Sequence, residues 1–152
     1  MEKARHLIVH VDGAARGNPG PAGIGFVIRD EEGNLLLEES AYLGEATNNV
    51  AEYQALLRAL RAAQHFGPAG VTVYTDSELM ARQLSGEYRV RQEHLLPLWV
   101  EARRLLSLFV RSAVVHVQRE ENKEADRLAN RGIDEAAGEP GKSAGEGEGG
   151  GA

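Results

Sequence analysis

The sequence predicts an α/β fold in which an antiparallel meander and parallel strands share one mixed five-stranded sheet flanked by helices. Three observations predict it. Residues 6–43 hold three strand-like runs separated by short turns, the first placing Leu7, Val9 and Val11 on one face. Near residue 49 the apolar spacing changes from two to between three and four, the helical period. After that, short apolar runs alternate with helical stretches to about residue 137, the pattern of strands linked by helical crossovers.

The first strand is His6–Asp12, with Leu7, Val9 and Val11 on one face and Ile8, His10 and Asp12 on the other. Turn chemistry follows at Arg16-Gly17-Asn18-Pro19-Gly20-Pro21, then strands at Gly23–Arg29 and Leu35–Leu43 around the turn Asp30–Asn34. From Asn49 to about Phe66 a helix puts Glu52, Leu56, Ala59 and Ala63 on one stripe, with Arg58, Arg61 and His65 opposite. Thr47 or Asn48 serves as its N-cap, and Gly67-Pro68 ends it. Val71–Thr75 is a short buried strand, Ser77–Leu84 a short helix, and His94–Phe109 a longer one that tolerates Pro97 only in its first turn. Arg111–Gln118 alternates as a last strand and Lys123–Ala137 is a last helix. Residues 1–137 form the expected domain. The stretch 138–152, built from Gly, Glu, Ser and Ala with one Pro and one Lys, is expected to be a disordered tail.

Composition narrows the function. There is no cysteine, so thiolate metal sites and disulfides are excluded and any metal must sit on oxygen or imidazole. No run is long enough for a membrane span, and the charged N-terminus does not read as a signal peptide, so a cytoplasmic protein is expected. The net charge of −6 gives no support for a nucleic-acid partner. It is not strong evidence against one either. The tail, with three glutamates against one lysine, accounts for −2, and the remaining −4 equals four carboxylates that the topology gathers together.

Those carboxylates are Asp12, Glu52, Asp76 and Asp126. Asp12 and Asp76 end the first and fourth strands; parallel neighbours would deliver both to the same edge of the sheet, where such sheets bind ligands. Glu52 shares the buried stripe of its helix, an expensive place for a charge without a partner. Asp126 lies in the first turn of the last helix, and by itself would be an ordinary first-turn acid. Together the four would repel one another unless hard cations bound between them. Mg²⁺ prefers oxygen ligands, and two such ions about 4 Å apart suit phosphodiester hydrolysis.

Five segments carry a resemblance: Val11-Asp12-Gly13, Gly17-Asn18-Pro19-Gly20, Thr47-Asn48-Asn49 leading to Glu52, Tyr74-Thr75-Asp76-Ser77, and Asn122 with Ala125-Asp126-Arg127-Leu128-Ala129. In order and spacing they resemble type 1 ribonuclease H over residues 7 to about 136. The resemblance implies the ribonuclease H-like fold and an endonuclease that hydrolyses the RNA strand of RNA–DNA hybrids, leaving 3′-hydroxyl and 5′-phosphate ends. It implies two Mg²⁺ ions on the four acids, with Mn²⁺ a workable substitute. Asn18, Thr47 and Asn48 would grip a DNA phosphate. Asn49, with Glu52 and the backbone around Ala14 and Ser77, would read RNA 2′-hydroxyls. A monomer with no protein partner is the family expectation.

The sequence also departs from the family. The loop before the fourth acid, Gln118-Arg119-Glu120-Glu121-Asn122, lacks the mobile histidine many members carry, and resembles the archaeal-like branch. Arg119 or Glu120 is the candidate substitute, Arg119 preferred because a cation beside a leaving phosphate has an electrostatic role. The basic protrusion of other members is reduced to Gly86–Gln92, where Tyr88, Arg89 and Arg91 offer a smaller handle. Two alternatives stand beside the hybrid nuclease: a nuclease of this fold that also cuts RNA–RNA duplexes, and a non-catalytic nucleic-acid or metal-binding module. With the handle reduced, hybrid affinity should be modest and fall steeply with salt. An affinity unchanged between low and moderate ionic strength in a filter-binding titration would contradict this.

Overall fold

In a computed structural model describing residues 6–138, the first strand runs longer than its sequence predicts. β1 spans His6–Ala15, because Gly13, Ala14 and Ala15 go on pairing with Ile24, Gly23 and Ala22 of β2 (Gly20–Arg29). Gly and Ala have little strand preference of their own, so cross-strand pairing decides their conformation. Asp12, expected at the strand's end, is therefore three residues inside it. β3 (Leu35–Ala46) completes the meander, and the Asp30 carboxylate organises the β2–β3 turn by accepting from the Glu32 and Asn34 N–H groups, both at 2.9 Å.

The remaining elements follow the predicted order: α1 (Asn48–Gln64), β4 (Gly70–Thr75), α2 (Glu78–Leu84), α3 (Leu96–Leu106), β5 (Arg111–His116) and α4 (Lys123–Ala136). Two boundaries move for local reasons. Pro97 confines α3 to a later start, preceded by a 3-10 turn at Glu93–Leu95. The final strand stops at His116, and a second 3-10 turn, Arg119–Glu121, occupies what reads as loop in the sequence. The tail expectation concerns residues 139–152 almost entirely, which lie outside the described residues.

The sheet order is β3-β2-β1-β4-β5, with β1 antiparallel to β2 and parallel to β4, and β4 parallel to β5. One face carries the main core: Leu7, Val9 and Val11 of β1 and Val71 and Val73 of β4 meet Tyr53, Leu56 and Leu60 of α1, all buried. Each such aliphatic side chain contributes about 1.5–3 kcal/mol on burial. Trp99 lies at the margin of this core, its indole N–H donating to the Gln83 carbonyl at 3.0 Å. The other face of β1–β3 is covered by α4. There Gly23 and Gly25 let the helix approach closely: a Cβ on Gly25 would stand 2.5 Å from Leu128 Cβ and 2.6 Å from the Ala125 carbonyl oxygen. Among the described residues no helix is long and apolar enough to cross a membrane.

Because helix backbone, not a flexible side chain, faces that position, Gly25→Ala should destabilise the fold by about 1–3 kcal/mol. A urea midpoint equal to the parent's would show that α4 is not seated as described.

Candidate active site

Three close approaches build the site. Gly13, the residue after Asp12, has no room for a Cβ because the Ala51 carbonyl lies against it, so the first turn of α1 sits directly on β1. That contact delivers Glu52, whose Oε1 accepts from the Gly13 N–H at 3.3 Å. On the opposite face Gly25, paired with Asp12 across β1 and β2, lets the first turn of α4 close in with Asp126. Asp76 follows Thr75, the β4 residue in register with Val11, and so emerges beside Asp12. Its turn is fixed from both sides: Thr75 Oγ1 accepts from Ser77 N–H at 3.0 Å, and Ser77 Oγ caps α2 by accepting from Met80 N–H at 3.1 Å.

One carboxylate oxygen each from Asp12, Glu52 and Asp76 lies within 4.8 Å of the others. Asp126 lies near enough to Asp12 to raise its carboxyl but stands outside the tight trio; its Oδ1 accepts from Asn130 Nδ2 at 3.3 Å. Asp12 is only 4% exposed. Burial first, then the charges of Glu52, Asp76 and Asp126, push its carboxyl far above the usual range. Glu52 is pushed up by burial and by Asp76, against the pull of the Gly13 N–H and Arg119. The one basic group in ion-pair range of the trio among the described residues is Arg119, with Nε 4.0 Å from Asp76 Oδ2 and a side chain 85% exposed. Such a surface contact offsets little of the repulsion. An oxygen-only, desolvated and uncompensated cluster suits a hard divalent cation, and Asp12, Glu52 and Asp76, with Asp126 beside them, are the residues that could hold one.

Of the other sequence candidates, Asn18, Thr47 and Asn48 meet at the start of α1. Thr47, not Asn48, caps α1, its Oγ1 accepting from Val50 N–H at 3.2 Å. Asn18 Oδ1 accepts from Asn48 N–H, and Asn48 Oδ1 from Ala15 N–H, both at 2.9 Å. Both carboxamide oxygens are thus used to lock the β1–β2 turn to α1, while their NH₂ groups are left as donors. Asn49 is half-buried in the first turn of α1. Arg119 and Glu120 are exposed on the 3-10 turn, Arg119 toward Asp76.

One residue gained a role the sequence did not disclose. Asn122, just before α4, looks like a helix cap but makes no side-chain cap bond. Its Nδ2 instead donates to the Val11 carbonyl at 2.8 Å, tying the start of α4 to the strand residue before Asp12. Only the tertiary contact reveals this.

A family profile described as reverse transcriptase-like matches residues 10–132. Ribonuclease HI of Halobacterium salinarum is 42% identical over 89% of this chain and 68% of its own length. The chain belongs to the type 1 ribonuclease H family. The fold agrees with that membership. LC11-RNase H1, in a structure with an RNA/DNA hybrid, superimposes with a TM-score of 0.82 at 48% identity, over 86% of this chain and 99% of that one. The N-terminal RNase H domain of a Mycobacterium tuberculosis protein gives 0.84 at 42%, over 88% and 96%. The full mycobacterial protein is longer, and this chain spans 36% of it.

The raised carboxyls make a linked prediction for the cation-free protein. The folded state retains protons that the unfolded chain releases near pH 4, so stability should fall as pH rises from there through about 8, to which Glu52 is pushed, and on to about 10, to which Asp12 is pushed. Asp12→Asn should raise cation-free stability by about 1–4 kcal/mol while reducing stabilisation by added Mg²⁺. Thermal melts across pH, with and without Mg²⁺, check both; a destabilised Asp12→Asn protein would contradict the account.

Proposed function

We propose that residues 1–137 are the catalytic domain of an endoribonuclease that hydrolyses the RNA strand of RNA–DNA hybrids. The single observation carrying this reading is the cluster of carboxylates around the buried Asp12, with one exposed arginine as the only basic group in ion-pair range among the described residues. Its family membership, and the hybrid bound by LC11-RNase H1, support the substrate class. The reading assigns Asp12, Glu52, Asp76 and Asp126 as ligands for two Mg²⁺ ions. When bound, such ions supply Lewis-acid activation of water and charge stabilisation at the phosphate.

The chain's own residues do the rest. Thr47 and the free NH₂ groups of Asn18 and Asn48 donate to a phosphate of the DNA strand. Asn49 and Ser77 lie toward the RNA sugars, whose 2′-hydroxyls separate RNA from DNA. In the reaction a water oxygen joins phosphorus as the bond from phosphorus to O3′ breaks, leaving 5′-phosphate and 3′-hydroxyl ends, with the displaced proton balancing the alkoxide. Arg119, beside Asp76, is the auxiliary group we favour in place of a histidine, where its charge offsets negative charge on the departing strand; Glu120 is the second candidate. A cytoplasmic monomer acting on nucleic acid alone is the setting we infer.

The test is a labelled RNA–DNA hybrid and a matched RNA duplex incubated with Mg²⁺. The parent should cut the RNA of the hybrid, and Asp12→Asn should lower the rate by about a thousandfold or more. Equal cutting of the RNA duplex would establish the broader nuclease instead. Intact RNA in the hybrid at every Mg²⁺ and Mn²⁺ concentration would refute the proposal and favour a binding module.

A further inference from the structure

Beside the carboxylates lies a hollow of about 630 Å³ lined by Arg119, Glu120, Lys123, Glu124, Asp126 and Arg127. Lys123 and Arg127 are one helical turn apart with Asp126 between them, so all three lie toward the same side of α4. Neither cation has a carboxylate in ion-pair range among the described residues. Of the two glutamates lining the hollow, Glu124 is already neutralised by two bonds from Arg29, at 2.8 and 2.9 Å. Helix α4 also starts without a side-chain cap, leaving the positive end of its dipole open toward the hollow.

These features describe an anion site, and its position says which anion. α1, with Thr47, Asn48 and Asn49, and α4, with Lys123 and Arg127, begin on opposite faces of the sheet with the carboxylates between them. The RNA strand, with Asn49 toward its sugars on the α1 side, crosses the carboxylates and meets Lys123 and Arg127 on the α4 side. We propose that Arg119, Lys123 and Arg127 hold a phosphate of the RNA strand next to the linkage at the carboxylates; this rests on the ribonuclease reading above. The site lets an acidic centre accept a polyanion, since three cations meet the strand where Asp126 would otherwise repel it.

The experiment compares Asp12→Asn with the triple variant Asp12→Asn/Lys123→Gln/Arg127→Gln, so that the hybrid stays intact. Both added substitutions fall on exposed side chains, and Arg119 is left in place. Binding of a labelled hybrid is followed by fluorescence anisotropy as NaCl is raised. The slope of log affinity against log salt should fall by about two, one for each cation removed from the phosphate. A single uncharged methylphosphonate, moved along the RNA strand, should weaken Asp12→Asn most at one linkage and weaken the triple variant less there, because only Arg119 remains to hold that phosphate. Coincident salt slopes, or a sensitive linkage in the DNA strand instead, would overturn the proposal. Cleavage by the unmutated protein is scored separately. If it cuts the hybrid and the slopes coincide, only the phosphate site fails; if it does not cut and the slope still falls, only the nuclease reading fails.

Discussion

Asp12 is a nearly dry carboxyl with three other acids around it and no cation of its own, and most of the architecture serves to keep it so. Its strand is central, held by β2 on one side and β4 on the other. Gly13 admits the first turn of α1 and Gly25 the first turn of α4, so two helix starts converge on one residue from opposite faces. The Asn122 amide fastens the second of these to the Val11 carbonyl. A chain that uses close packing to hold like charges together accepts a folding cost, and a bound cation is what converts that cost into affinity.

The same constraint orders the surroundings. Asn18, Thr47 and Asn48 commit their acceptor oxygens to fixing the turn and the helix start, which leaves donors pointing out and suits recognition of an anion. Arg119 reaches Asp76 only at 4.0 Å from an exposed turn, close enough to modulate the site without quenching its charge. A buried arginine there would have satisfied the carboxylates internally and left no demand for metal.

Much of this was legible in the sequence, for identifiable reasons. Leu7, Val9 and Val11 announced their face by alternation, and Glu52 stood out because its stripe also carried Leu56, Ala59 and Ala63. Element order followed from the change of period near residue 49. What escaped depended on tertiary contact. Strand pairing carried β1 past Asp12 through residues with weak strand preference. The Gln118 and Glu121 pair folded a loop-like stretch into a 3-10 turn. Asn122 reads as a cap and serves as a tie. Asp126, the least distinctive of the acids in sequence, is likewise the one that stands outside the tight trio, coupled to it through Asp12.

The claim that this cluster exists to bind divalent cations is tested most directly by anomalous diffraction from crystals of the protein soaked in Mn²⁺. The account predicts an anomalous peak enclosed by the carboxylates of Asp12, Glu52 and Asp76 and absent from crystals of Asp12→Asn. Saturating Mn²⁺ with no peak at that position, or one indifferent to Asp12→Asn, would contradict it.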